Sequence, residues 1–428
     1  MKHKKYFRFI ISILLFLFTF SLSYSQDFSL LYSQYKTKDF FRFRDGVKIY
    51  KSESHKWQKT FLEAMSDCIF GNFEKSEKSI NYILENYASE IPDSLMKDLY
   101  QKKYFDNAFL HEYKSAFENA EILLLKYGDF LSKDEKETLS DDIIMFKSLS
   151  QAPQQKITKG DVDLKLKIKK DMAGLWNVPV KINDTDFDFV FDTGADFPVL
   201  VESLAKKLGL NISEEEFNVG TGTDKKIKSK IAVVNSLKIG NITLENVVFY
   251  IMKDEDFTFG PYKILGIIGA PIIRAFEEIR FTKNNELIVP VTPDNDAIGN
   301  FAYDQYTPII QVIYSNDSLN FIFDSGNNSI TLYQPFFKKY ETDISQNYTL
   351  KKIGIGGAGG IIETDGYELD NITLNAGKTG AELNKVPVLI KALSESQKFF
   401  HGNLGQSYIS QFSTLILNYK NMYIEFQN

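Results

Sequence analysis

Phe189-Val190-Phe191-Asp192-Thr193-Gly194 decides the reading of this chain, because it returns 132 residues later as Phe321-Ile322-Phe323-Asp324-Ser325-Gly326. Each copy is a run of three apolar residues, which puts a strand in a core, followed by an acid, a hydroxyl residue and glycine. The glycine permits a tight turn whose N–H points at the carboxylate, and Thr193 and Ser325 can lock that turn through their hydroxyls. Two further landmarks repeat in the same order. Asn241-Ile242-Thr243-Leu244 returns as Asn371-Ile372-Thr373-Leu374, and Gly269-Ala270-Pro271-Ile272-Ile273-Arg274-Ala275-Phe276 as Gly405-Gln406-Ser407-Tyr408-Ile409-Ser410-Gln411-Phe412. Offsets of 132, 130 and 136 drift by only a few residues. Residues 156–292 and 293–428 therefore read as two copies of one β lobe, each made of short alternating strands separated by Gly and Asn-Asp turns.

One acid at a strand end is unremarkable; two, one per copy of a twofold repeat, can be brought face to face. Close carboxylates cannot both ionise, so they share a proton. One then serves as general base on a trapped water while the other, protonated, polarises a peptide carbonyl. That chemistry needs neither metal nor histidine, and the inventory is poor in both kinds of ligand. Cys68 is the sole cysteine, so no intramolecular disulfide and no multi-cysteine metal site can form. His3, His55, His111 and His401 are scattered without metal-ligand spacing. Gly354, Gly356 and Gly359 spell a formal G-x-G-x-x-G, but no helix start follows it to receive a phosphate.

Length and flanks complete the organisation. With 428 residues the chain predicts two to three domains. Lys2, Lys4, Lys5 and Arg8 precede an apolar run over residues 9–22 and then Ser23-Tyr24-Ser25, the order of a secretory signal in residues 1–25. Removing those four basic residues takes the net charge from −6 to −10, a poor balance for nucleic-acid binding. Over residues 26–150 apolar residues recur at three and four spacing, so this part is predicted all-α. It carries its own echo: Phe73, Ser76, Ile80 and Ile83 reappear forty residues on as Tyr113, Ala116, Ala120 and Leu123. Gly71-Asn72-Phe73-Glu74-Lys75-Ser76 resembles the turn of a tetratricopeptide unit, although the period exceeds that repeat's usual length.

The repeated β region resembles the retropepsin-like and pepsin-like aspartic proteases, here as a tandem within one chain. Asp192-Thr193-Gly194-Ala195 is similar to that family's active-site loop. Leu265-Gly266-Ile267-Ile268-Gly269 and His401-Gly402-Asn403-Leu404-Gly405 resemble its later segment that threads beside the loop. Gly220-Thr221-Gly222 and Gly354-Ile355-Gly356-Gly357 sit where the family leads into its flap hairpins. The resemblance implies an all-β bilobal acid-protease fold behind the helical region, and an exported aspartic endopeptidase acting on peptides or proteins without a cofactor. It implies Asp192 and Asp324 as the catalytic pair, with Thr193, Gly194, Ala195, Ser325, Gly326 and Asn327 supporting them. Gly220, Gly222, Gly354, Gly356 and Gly357 would cover an extended peptide. Asn327 stands where Ala, Ser or Thr is usual, and its amide could donate to the outer carboxylate oxygen. The alternative is a non-catalytic peptide-binding or scaffold protein, with the helical region recruiting a protein partner. Two complementary halves in one chain predict a monomer. Signal, Lys/Asn/Ile-rich composition and tandem lobes together resemble envelope proteins of the Bacteroidota, implying a periplasmic or extracellular location.

Overall fold

Among the described residues, helices run from Phe28 to Leu149 and strands dominate beyond. The computed structural model describes residues 27–51, 55–220, 226–296, 299–357 and 360–428, so the signal-like stretch and Gly222 lie outside the described residues. The helices are α1 (Phe28–Lys36), α2 (Phe40–Ile49), α3 (Lys56–Ile69), α4 (Phe73–Asn86), α5 (Asp93–Phe109), α6 (Tyr113–Tyr127) and α7 (Lys133–Leu149).

The forty-residue echo is one turn built twice. Gly71 and His111 both take left-handed backbone, with φ of 76° and 59°. The next N–H, from Asn72 and Glu112, returns to the carbonyls of Asp67 and Asn107, at 2.8 Å in each case. The echoed side chains are buried in both helices: Phe73, Ser76, Ile80 and Ile83 on α4, then Tyr113, Ala116, Ala120 and Leu123 on α6, which buries Asn119 as well. Helix α7 opens on a capping box, in which the Ser132 hydroxyl accepts from the Glu135 N–H at 3.2 Å and the Glu135 carboxylate accepts from the Ser132 N–H at 2.7 Å.

In the first β half, Thr185–Phe191 runs antiparallel to Trp176–Ile182 and parallel to Gly266–Ile268. Gly266–Ile268 in turn lies antiparallel to Val199–Val201. Trp176, Val178, Val180 and Ile182 alternate into the core with the period of a half-buried strand. In the second half, Asp317–Phe323 runs antiparallel to Thr307–Tyr314 and parallel to Gly402–Leu404, which lies antiparallel to Ile330–Leu332. Both halves feed a shared five-stranded sheet. In it Glu278–Thr282 of the first half pairs residue for residue with Thr414–Asn418 of the second.

The helical region has no core of its own that stops at its boundary. Leu31, Phe61 and Leu62 share one apolar cluster with Ile309, Ile322, Tyr333, Ile353 and Phe400 of the second half. Phe105, Phe109, Tyr113 and Phe146 join the cluster that runs through both β halves. At the junction the Arg274 guanidinium lies over Phe73 at 4.7 Å and Phe109 at 4.3 Å, both helical, and 5.8 Å from the ring of Tyr303. One side chain of the first half thereby touches the helices and the second half at once. A desolvated cation–aromatic contact contributes about 2 kcal/mol or more. Arg274→Ala should therefore lower unfolding free energy by about that amount, measured by denaturant melts, with Arg274→Lys losing less.

Candidate active site

The two repeated strands end at the same kind of loop. Asp192 follows Phe191 and donates its N–H to the Ile268 carbonyl at 3.1 Å; Asp324 follows Phe323 and donates to Leu404 at 3.1 Å. Each parallel partner strand thus carries its pairing one residue beyond the central strand and pins the acid in place. Each carboxylate then accepts the N–H of the glycine two residues on, Gly194 to Asp192 at 2.8 Å and Gly326 to Asp324 at 2.9 Å.

Thr193 and Ser325 do more than brace their own turns. The Thr193 hydroxyl donates across the molecule to the Phe323 carbonyl at 3.3 Å and accepts the Ser325 N–H at 2.9 Å. The Ser325 hydroxyl donates to the Phe191 carbonyl at 3.1 Å and accepts the Thr193 N–H at 3.0 Å. Four reciprocal hydrogen bonds in a buried setting register the two loops against each other. Glycine is required at the next position of each loop, because a side chain would strike the opposite acid. A Cβ on Gly194 would fall 2.7 Å from an Asp324 oxygen, and one on Gly326 would overlap the Asp192 carboxyl carbon.

The downstream segments thread behind these loops. The Ala270 N–H donates to the Ala195 carbonyl at 2.9 Å and the Gln406 N–H to the Asn327 carbonyl at 2.8 Å. A Cβ on Gly269 would fall 2.8 Å from the Ala195 carbonyl oxygen, and one on Gly405 would overlap the Asn327 carbonyl. The Asn327 side chain does not turn to the carboxylate as its sequence position suggests. Its Oδ1 accepts the Ser329 N–H at 2.9 Å and the Ser329 hydroxyl at 3.1 Å, a local turn satisfied by the next residues.

Asp192 and Asp324 are each half-buried, and each perturbs the acidity of the other. Lost hydration, then the Asp324 charge, holds Asp192 well above the usual carboxylate range. Burial also raises Asp324, against the Gly326 N–H that favours its ionised form. The two acids therefore titrate as one pair that holds a shared proton.

Two further acids lie near this loop. Asp196 follows closely in the chain; it is exposed as a residue, yet dense protein around it costs hydration and pushes it up to about 6. Asp142, on α7, accepts from the Tyr104 hydroxyl at 3.2 Å and is pushed up to about 7, chiefly by burial. Asp196 is visible beside the Asp-Thr-Gly stretch. The approach of α7 carries no local sequence signal.

Two hairpins carry the glycine runs that the sequence marks as covers. Phe217–Gly220 pairs with Lys226–Ile239, Gly220 opposite Lys226. Lys351–Gly357 pairs with Gly360–Leu369, placing Gly354, Gly356 and Gly357 along one arm and Gly357 opposite Gly360. The first hairpin is tied to α7. Asp141 accepts the Asn218 backbone N–H at 2.9 Å and its side-chain amide at 3.0 Å, and Glu137 pairs with Lys226 at 3.4 Å.

Residues 178–272 match the family model of aspartyl proteases. That stretch holds Asp192, the first hairpin and Gly269. The chain is also similar to the crystal structure of a retropepsin-like aspartic protease from Rickettsia conorii, at 20% identity and a TM-score of 0.23, over 31% of this chain and 95% of that one. No curated protein matches the chain.

Two outcomes test this geometry without any substrate. A carboxyl raised in the folded state stabilises the fold below the unfolded value and loses that contribution as pH rises through the folded one. Asp192→Asn, neutral throughout, should be more stable than wild type near pH ~7, with the difference closing below pH ~4, measured by chemical unfolding at both. Ser325→Ala strips an acceptor from the Thr193 N–H and a donor from the Phe191 carbonyl. It should cost about 1–3 kcal/mol in the same melts.

Proposed function

We propose that this protein is an exported aspartic endopeptidase whose β region, over residues 156–292 and 293–428, is two copies of one lobe closing a single cleft. The observation that carries the reading is the pair of facing carboxylates held in register by the reciprocal Thr193 and Ser325 hydrogen bonds. The aspartyl protease match over residues 178–272 supports it from the first lobe.

In this reading a water sits between the acids. The ionised acid of the pair takes its proton as the oxygen attacks the peptide carbonyl carbon, while the protonated one gives its proton to the carbonyl oxygen. The tetrahedral diol then collapses: a proton passes to the leaving nitrogen, the C–N bond breaks, and a carboxylic acid and an amine depart. Thr193 and Ser325 keep the acids from drifting, and tight positioning of this kind is what sustains a concerted proton transfer. The Gly220 and Gly354–Gly357 arms flank the cleft, so a substrate would lie extended between them, pairing as a strand and presenting alternate side chains to the walls. The basic and apolar N-terminus supports export, and the helical region, residues 26–150, acts as a brace on both lobes with its outer face left for a protein partner.

Incubation with a denatured protein across acidic to neutral pH tests the reading. Cleavage should fall about a hundredfold to ten-thousandfold in Asp192→Asn and in Asp324→Asn. It should also weaken at high pH as the shared proton leaves. Cleavage that persists in both variants removes the dyad from the chemistry. Tight binding of a peptide strand with no cleavage by the wild type turns the assignment to a peptide-binding protein.

A further inference from the structure

The strand registers lay the two β halves on one another and show one place treated oppositely in each. In the first half Asn177 pairs with Val190 and Pro179 with Asp188; in the second Ile309 pairs with Ile322 and Gln311 with Asn320, all at an offset of 132. Asp171 donates its N–H to the Leu175 carbonyl, two residues before Asn177. Its counterpart is Asp304, which pairs with Thr307 two residues before Ile309. Side chains two apart on a strand share a face, so the face that ends on Asp192 also carries Val190 and Asp188.

On that face the first half has an open groove of about 500 Å³, walled by Asp171, Asp188, Val190, Tyr262 and Leu265. It adjoins both catalytic loops. Val190 stands two residues before Asp192, and a Cβ on Gly174, in the turn after Asp171, would fall 3.2 Å from the Asn328 side-chain oxygen. In the second half the chain's own helical region fills the same place. Lys38, between α1 and α2, pairs with Asp304 at 2.5 Å, and its ammonium lies 4.8 Å and 5.6 Å from the ring centres of Phe399 and Phe400. Its carbonyl accepts the Asn320 amide at 3.0 Å. Phe399 and Phe400 are the counterparts of Lys263 and Ile264, which line the open groove, because Asn403 and Ile267 hold the same register on the central strands. A groove of this design thus already holds a lysine on the acid equivalent to Asp171.

The open groove is the more acidic of the two. Asp188 and Asp186 stand where the second half has Asn320 and Ser318. They face Lys169 at 3.8 Å and Lys181 at 3.5 Å, exposed pairs that contribute little. Lys263 opposes them, but it is exposed. Asp171 accepts from the Ala173 and Leu175 N–H groups at 2.9 Å each, the Asn177 amide at 2.8 Å and the Tyr262 hydroxyl at 2.7 Å. None of these donors carries charge. The Asn177 amide also lies 3.3 Å from the Leu175 carbonyl, so it keeps an acceptor when an ammonium takes its place. Val190 and Leu265 give an apolar wall near Asp192, and Asp188 lies further out along the strand. That order matches a side chain with an apolar stem and a cationic end.

We infer that this groove is a subsite for a lysine or arginine side chain of the bound peptide, with Asp171 as its specificity-determining acid. That the occupant is a peptide rests on the proposed proteolytic reading; the preference for a cation is measurable without cleavage.

The full chain carrying Asp192→Asn, which blocks cutting, is titrated with two fluorescein-labelled peptides of apolar residues that differ at one position, lysine or uncharged norleucine. The lysine peptide should bind about tenfold more tightly. Asp171→Asn, added to the same chain, should bring the two within about twofold. Equal affinities, or binding of neither peptide, overturn the inference. Where Asp171→Asn does not fold, the exposed Asp188→Asn should reduce the lysine preference about threefold, and an undiminished preference overturns the inference there too. In a denatured protein digested by the wild type, lysine or arginine should recur at one fixed position relative to the cut. Cleavage without that enrichment overturns the inference and leaves the proteolytic reading standing. A wild type that cuts nothing while the lysine preference persists supports the groove and removes only the proteolytic reading.

Discussion

Everything near the two acids depends on the exchange of hydrogen bonds between Thr193 and Ser325. A threonine hydroxyl and a serine hydroxyl each donate to the other half's strand and accept the other half's N–H, so both hydroxyls and both N–H groups are satisfied across the seam. Thr193 is 2% exposed and Ser325 fully buried, so each bond is made in a medium where its loss leaves an uncompensated donor or acceptor. This is a harder constraint than apolar packing, which tolerates sliding by a fraction of an ångström. It sets how closely the acids approach, and through the tight fit over Gly194 and Gly326 it dictates residue identity on both sides. The raised acidity range of Asp192 follows from that enforced approach and from burial.

The rest of the molecule keeps those loops from being pulled apart. With Cys68 alone, no covalent tie between the halves is available. The shared sheet supplies one link through Glu278–Thr282 and Thr414–Asn418. Within it buried Glu278 accepts from the Asn418 amide at 2.7 Å and is met by Arg280, so the sheet is cross-linked by charge as well as backbone. The helical region supplies a second link, because its early helices share an apolar cluster with the second half and its later helices join the cluster that runs through both halves. Arg274, packed against aromatic rings from the helices and the second half, sits where those links converge. A region that sequence alone presents as separable is in packing terms a third wall.

How much of this was legible depends on how local the cause is. The Asp-hydroxyl-Gly loops, the threading glycines and the helical turns at Gly71 and His111 are dictated by neighbours in sequence, and each lies where the repeats predicted it. Asn327 misleads for the same reason in reverse: its side chain is captured by Ser329, two residues away, a competition that the family pattern does not display. Asp142 and Arg274 carry no such local signal. Each acquires its setting from partners brought in by tertiary folding: the Tyr104 hydroxyl and the Asp196 charge for the first, and aromatic rings from two other parts of the chain for the second.

The hairpin contacts add a consequence of that third wall. Helix α7 presents Asp141 to the Asn218 N–H, a backbone donor on the strand that leads into the first hairpin, and Glu137 to Lys226 on the returning strand. The Asn218 bond is the stronger restraint, since an ionised acceptor on a backbone N–H is short and charge-assisted, whereas the Lys226 pair is exposed and contributes little. In the second hairpin Ile353 and Ile355 rest instead on the apolar cluster that the early helices share. One cover is therefore held by a polar contact that water can replace, the other by burial that water cannot. The strand beside the acids differs as well, with Asn403 in one half where Ile267 stands in the other, so the two halves are unlike both at the acids and in what holds their hairpins.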